Sequence, residues 1–167
     1  INMATIKPFQ GYRPPSDIAR SVSSPPYDVM TSNEARNMVQ GNPDSFLRVI
    51  KPEIDFTPGN EPKGDSLHKH GAENLQKYIS EGKLVQDENP CLYIYQIKMG
   101  DHIQTGIMAA VSVEEYNKGL IKKHEFTRPD KENDRTRHIE ITNANTGPVF
   151  LTFRNDGHFQ NKISEIK

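Results

Sequence analysis

Apolar positions along the chain fall in short runs of two different periods, and the period of each run assigns its element. In "TSNEARNMVQG", Thr31 and Glu34 have the spacing of a capping box and Gly41 stands where a helix stops, so Thr31 to Gly41 reads as a helix. "DSLHKHGAENLQKYISEGKLV" places Leu67, Leu75, Tyr78 and Ile79 near one helical face, with Asp65 or Ser66 as cap, Gly82 as stop and Gly71 as a weak point in the middle. Period two governs other runs. "SFLRVIK", after the Asn42-Pro43 turn, puts Phe46, Arg48 and Ile50 on one side and Leu47, Val49 and Lys51 on the other, which predicts a strand. "CLYIYQIKM" and "IQTGIMAAVSV" flank the short turn "GDH" and form the best hairpin in the chain.

Shorter signals fill the gaps. "TIKPFQGYRPP" is a brief β-like start, and "SSPPYDVM" sets Tyr27 and Asp28 behind a stiff Pro-Pro turn in a fixed irregular arm. "PEIDFTPGNEPKGD" reads as a mobile surface loop and the first place for proteolysis. "LIKKHEF" and "GPVFLTFRNDG" are strand candidates, Thr127 with Pro129 marks a helix start, and "HFQNKISEIK" is an amphipathic helix with Ile163 and Ile166 on one face. Helices and strands alternate irregularly, with hairpins among them. That pattern predicts one α+β domain over residues 1–167, a mixed, mainly antiparallel sheet with several flanking helices.

Composition narrows the function more than the fold. The hydrophobic fraction is 34% and there is no tryptophan, so the core should be thin. A net charge of -1 gives no field to attract a polyanion, and the one helix considered for DNA, Thr31 to Gln40, offers only Arg36. Nucleic acid is not an expected partner. No apolar run approaches the roughly 20 residues that span a bilayer, so no membrane partner is expected either. The single cysteine, Cys91, excludes an intramolecular disulfide framework and a multi-cysteine zinc site, which fits a reduced, cytoplasmic protein.

The densest chemistry lies in "IKKHEFTRPDKENDRTRH", Ile121 to His138, where twelve of the eighteen residues are ionisable and the signs are interleaved. If Pro129 to Asn145 is helical, Lys131, Arg135, His138, Thr142 and Asn145 fall at spacings of 4, 3, 4 and 3 and share one polar stripe. Such a helix carries only Ile139, Ile141 and Ala144 as apolar residues, so burial alone should not hold it and a bound anion would. Arg135 can grip a phosphate or carboxylate with two parallel hydrogen bonds, Lys131 adds charge, and His138 can donate or accept a proton. Glu125, with His124, ends the preceding strand candidate and is a candidate base. Asn145, Thr146 and Gly147 are candidates to complete an anion cradle, Asp28 can bind a substrate amine with Tyr27 beside it as a further substrate-binding candidate, and Ser45, Arg48 and Lys51 can line a pocket edge. The plain alternative is a solvated helix face held by pairs such as Lys131 with Asp134.

Other motifs fail on chemistry. "GNEPKGD" lacks the lysine of a phosphate-binding loop, because Asp65 stands there. His124-Glu125 is not a zinc-protease motif, since Arg128 occupies the place of the second histidine. His68 and His70 sit two apart on a helix and do not converge on a metal, so no metal site is expected.

Together, "PPYDV" (Pro25 to Val29), "NPDSFLRVIKPEID" (Asn42 to Asp55), "LYIY" (Leu92 to Tyr95) and the charged motif followed by "NANTGP" resemble the family known as domain of unknown function 1015. The resemblance runs from about Lys7 to Phe153, and since family members are considerably longer, the chain reads as the N-terminal part of a longer protein. The family is distantly similar to ParB-like and free serine kinase-like proteins. That resemblance implies phosphorylation of a small hydroxyl substrate, free L-serine, by ATP or ADP with Mg2+. Glu125 is then the base, and Lys131, Arg135 and His138 are the phosphate ligands. A non-catalytic nucleotide- or anion-sensing module would use the same cations without needing Glu125.

Overall fold

Each helix of the core begins or ends where local chemistry dictates. The computed structural model describes residues 4–123, 126–154 and 157–166. The chain starts with two-residue strands, β1 (Ile6–Lys7) and β2 (Tyr12–Arg13), enters α1 (Ala19–Val22), and passes through a 3-10 turn at Tyr27–Val29. α2 (Ser32–Met38) opens on the expected capping box: the Glu34 amide donates to the Thr31 hydroxyl at 3.2 Å, and the Thr31 amide donates to the Glu34 carboxylate at 2.7 Å.

The strand expected at Phe46 to Lys51 is a helix instead, α3 (Leu47–Ile50). Leu47, Val49 and Ile50 are all buried, although a strand would send Val49 and Ile50 to opposite faces. Only a helical turn brings all three into one core. Lys51, forced out of helical geometry by the proline after it (φ -142°, ψ 57°), ends α3, and a 3-10 turn follows at Pro52–Asp55. The expected mobile loop is therefore anchored over its first half. Ile54 is buried, and Arg36 reaches across to the Glu53 carbonyl at 3.1 Å and the Glu61 carboxylate at 2.5 Å.

α4 (Asp65–Ser80) is the long helix; its N-cap is Gly64, and neither Asp65 nor Ser66 caps it. Its buried face is His68, Gly71, Leu75 and Tyr78, at spacings of 3, 4 and 3. β3 (Val85–Gln86) pairs with β2, β4 (Tyr93–Met99) with β5 (His102–Met108), and β6 (Ala110–Val111) with β1, all antiparallel. The hairpin turn falls at Gly100 and Asp101, as expected from the sequence. α5 (Val113–Asn117), α6 (Pro129–Thr142) and α7 (His158–Ile166) complete the order. Among the described residues neither Leu120 to Lys123 nor Gly147 to Arg154 forms a strand, so both of those expectations fail.

The result is an α+β fold whose strands form three separate two-stranded pairs. Its hydrophobic core comes from the helical part, with Val22, Ala35, Leu47, Val49, Leu75 and Tyr78 at the centre. Tyr78 satisfies its hydroxyl by donating to the Ser45 carbonyl at 2.9 Å, and burial pushes its pKa up to about 12. The β4–β5 hairpin stands outside this core, with Ile94, Tyr95, Ile97, Met99 and Ile103 exposed.

Candidate functional site

α6 starts as its sequence requires. Pro129 occupies the first turn, where no amide is needed, and Asn143 in the left-handed region (φ 50°) ends it. The polar stripe exists, and it is the face turned to α4. Lys131 is exposed, Arg135 is half-buried, and His138 and Thr142 are buried. Burial of His138 and Thr142 against α4 therefore adds to what the few apolar residues of α6 contribute. The Thr142 hydroxyl donates back to the His138 carbonyl at 2.7 Å, Ala144 packs against the core, and Arg137 clasps Asp65 of α4 with two hydrogen bonds of 2.8 and 2.6 Å. That clasp holds the Asp65 carboxyl below its ordinary range.

Toward the start of α6 several groups converge. The guanidinium of Arg135 lies over the Tyr27 ring, 4.1 Å from its centre, and its Nε and Nη2 donate to Asp134 at 3.1 and 2.8 Å. Asp134 in turn sits 3.6 Å from Nε2 of His68 on α4. The His68 ring meets His138 edge-on, with 5.6 Å between centres.

His138 is 1% exposed, and among the described residues neither ring nitrogen has a hydrogen-bond partner. Burial first, then the positive Arg135, pushes it down to about 4 against the opposing pull of Asp134, so it is neutral at neutral pH. Gly71 of α4 lies beside the ring, and its own close neighbour is the Val49 carbonyl. A Cβ there would stand 3.4 Å from Cε1 of His138 and 2.8 Å from the Val49 carbonyl oxygen.

The structure brings Tyr27, Arg135 and His138 together from two stretches of sequence more than a hundred residues apart. Asp28 neighbours Tyr27 in the 3-10 turn and is exposed. Lys131 lies one turn before Arg135 on the same helix. Asn145, Thr146 and Gly147 do not join the cluster along the helix: between Lys131 and Thr142 α6 advances roughly 16 Å, at about 1.5 Å per residue. They follow the end of α6, where the helix dipole is negative and disfavours an anion.

Arg48 serves elsewhere. It pairs with Asp55, which also takes His70 at 2.9 Å and Asn74 at 2.9 Å. Burial raises the Asp55 pKa, and the hydrogen bonds from His70, Asn74 and Arg48 outweigh it and hold the carboxyl below its ordinary range. This group ties α3 and α4 together. His124 and Glu125 lie outside the described residues.

Sequence reasoning missed His68 and Asp134 as members of the cluster. His68 had a usable signal, since it shares the stripe of Gly71, Leu75 and Tyr78, whereas Asp134 had none beyond being next to Arg135. Among the described residues, no group of three or more histidine, cysteine, aspartate or glutamate side chains is arranged to hold a metal ion, and no helix is long and apolar enough to cross a membrane.

No curated protein and no solved structure matches the chain. A family model does, over residues 6–167, and nearly the whole chain is therefore accounted for: the protein belongs to the family described as Protein of unknown function (DUF1015).

Proposed function

We propose that the Tyr27–Arg135 cluster is the phosphate grip of a small-molecule phosphotransferase that uses ATP or ADP to phosphorylate free L-serine. The observation that carries this reading is the seating of the Arg135 guanidinium on the Tyr27 ring at 4.1 Å, because it holds a permanent cation in one orientation. Lys131 adds a second charge on the same stripe. Neutral His138 supplies none: at 1% exposed it lies in the seat of α6 on α4, its ring against His68, and holds the helix that carries Arg135 rather than meeting the phosphate.

In the proposed reaction Glu125 accepts the proton of the serine hydroxyl. The hydroxyl oxygen attacks the terminal phosphorus, its O–P bond forms as the bond to the departing nucleotide breaks, and Arg135 and Lys131 steady the charge on the transferred group. Magnesium enters bound to the nucleotide, as part of the substrate. Asp134 is the carboxylate within reach of the cluster.

Glu125→Gln separates this reading from a sensing module. Turnover of serine and nucleotide should fall by 100-fold or more, on the order of what a positioned base contributes, while nucleotide affinity stays unchanged. Wild-type nucleotide binding without turnover would favour the sensing module, and full activity in Glu125→Gln would remove Glu125 from its role.

A further inference from the structure

The seat of α6 on α4 is unusual in what it is made of. Its buried side chains are His138 and Thr142, Ile139 is 42% exposed, and the ring of His138 reaches the interface with two hydrogen-bonding atoms that find no partner among the described residues. A neutral imidazole tolerates that position as a flat, largely apolar ring. An imidazolium would bring two donors and a full charge into a buried place where, among the described residues, neither ring nitrogen meets an acceptor.

The charged and titratable groups facing His138 do not welcome a proton. α4 presents His68, and α6 itself presents Arg135 and Asp134. Around Gly71, α3 presents the Val49 carbonyl and the following 3-10 turn presents the Pro52 ring. Asp134 is the single negative group among these, and it is already engaged with Arg135. Arg135 stands one turn before His138, so whatever lifts this part of α6 also withdraws the guanidinium from Tyr27.

We propose that α6 is an acid-released strap: it seats on α4 while His138 is neutral, and protonation of His138 lifts it off and takes the Arg135 grip apart. The release stands on the packing alone; that it regulates a phosphate site rests on the function proposed above. The sign follows from His138 titrating near its ordinary 6.5 when α6 is free and about 4 when it is seated. The free helix therefore binds more protons, and seating weakens as pH falls from about 6.5, levelling off below about 4. Across that window the seating equilibrium shifts by up to about two orders of magnitude.

Hydrogen exchange of the whole chain at pH 7 and pH 4.5, corrected for intrinsic exchange rates and run without nucleotide, reads this directly. In the wild type the amides of α6 should lose protection at pH 4.5 while those of α3 and α4 keep theirs. In His138→Phe, which keeps a flat ring and cannot take a proton, α6 should stay protected at both pH values, and His138→Leu carries the same expectation should the phenylalanine ring fit poorly. Equal protection of wild-type α6 at both pH values, loss shared equally by α3, α4 and α6, or the same acid loss in both variants would overturn the strap. Failure of nucleotide binding at pH 7 would instead strike the proposed function and leave this result standing.

Discussion

Gly71 is the residue whose meaning changes most between sequence and structure. In the sequence it weakens a helix, and Gly→Ala in a helix interior ordinarily gains about 1 kcal/mol. In the fold a Cβ at that position would stand 2.8 Å from a backbone oxygen, which cannot swing away. Gly71→Ala should therefore destabilise the protein, by about 1–3 kcal/mol, with the usual sign reversed. A urea melt of the variant checks it, and a gain in stability would mean that α4 and α3 are further apart than described. His138 teaches a related lesson. Its place on the polar stripe was legible from spacing, but burial of that stripe was not, because only the partner helix decides which face of α6 turns inward. For the same reason no spacing rule pairs Tyr27 with Arg135.

At the scale of elements, two local signals carried through to the structure. The capping box at Thr31 and Glu34 forms as expected, and Thr31→Ala should cost about 1 kcal/mol by thermal melting, with Thr31→Ser close to the wild type. A wild-type melting temperature in Thr31→Ala would show that α2 is fixed by packing of Ala35 and Val39 alone. The hairpin of β4 and β5 was equally legible, since alternation and a two-residue turn specify it without help from the rest of the chain. The run Phe46 to Lys51 was not. Read as a strand, the six residues leave one polar side chain on each face, Arg48 on one and Lys51 on the other. Yet Leu47, Val49 and Ile50 are all needed on one side to close the core over α4, and tertiary packing decides for the helical turn. The loop after Asp55 errs in the same way, because composition does not reveal that Arg36 will hold Glu61 from another helix.

At the scale of the molecule, a helical core gathers α1 to α4, and α6 is laid against α4 with a polar face. The family relation covers nearly all of the chain, and the α+β class was legible from the irregular order of periods. The arrangement of the strands as three separate pairs was not, since which strands meet is set by chain-distant partners such as Ile6 with Val111 and Tyr12 with Gln86. The cluster of Tyr27, Arg135, His68 and His138 joins the N-terminal arm to α6 and α4, so a ligand gripped there should stabilise the fold as a whole.

A thermal shift at pH 7 with ATP, ADP, magnesium and serine, in the wild type, Arg135→Ala and Tyr27→Ala, tests that claim most directly. At about 100 times the dissociation constant a nucleotide contributes roughly 2.7 kcal/mol, or about 5 to 10 °C for a domain of this size. The account predicts that shift in the wild type, its loss in Arg135→Ala and its marked reduction in Tyr27→Ala. A full shift in both variants would contradict it, because the phosphate would then be held somewhere other than the Tyr27–Arg135 cluster.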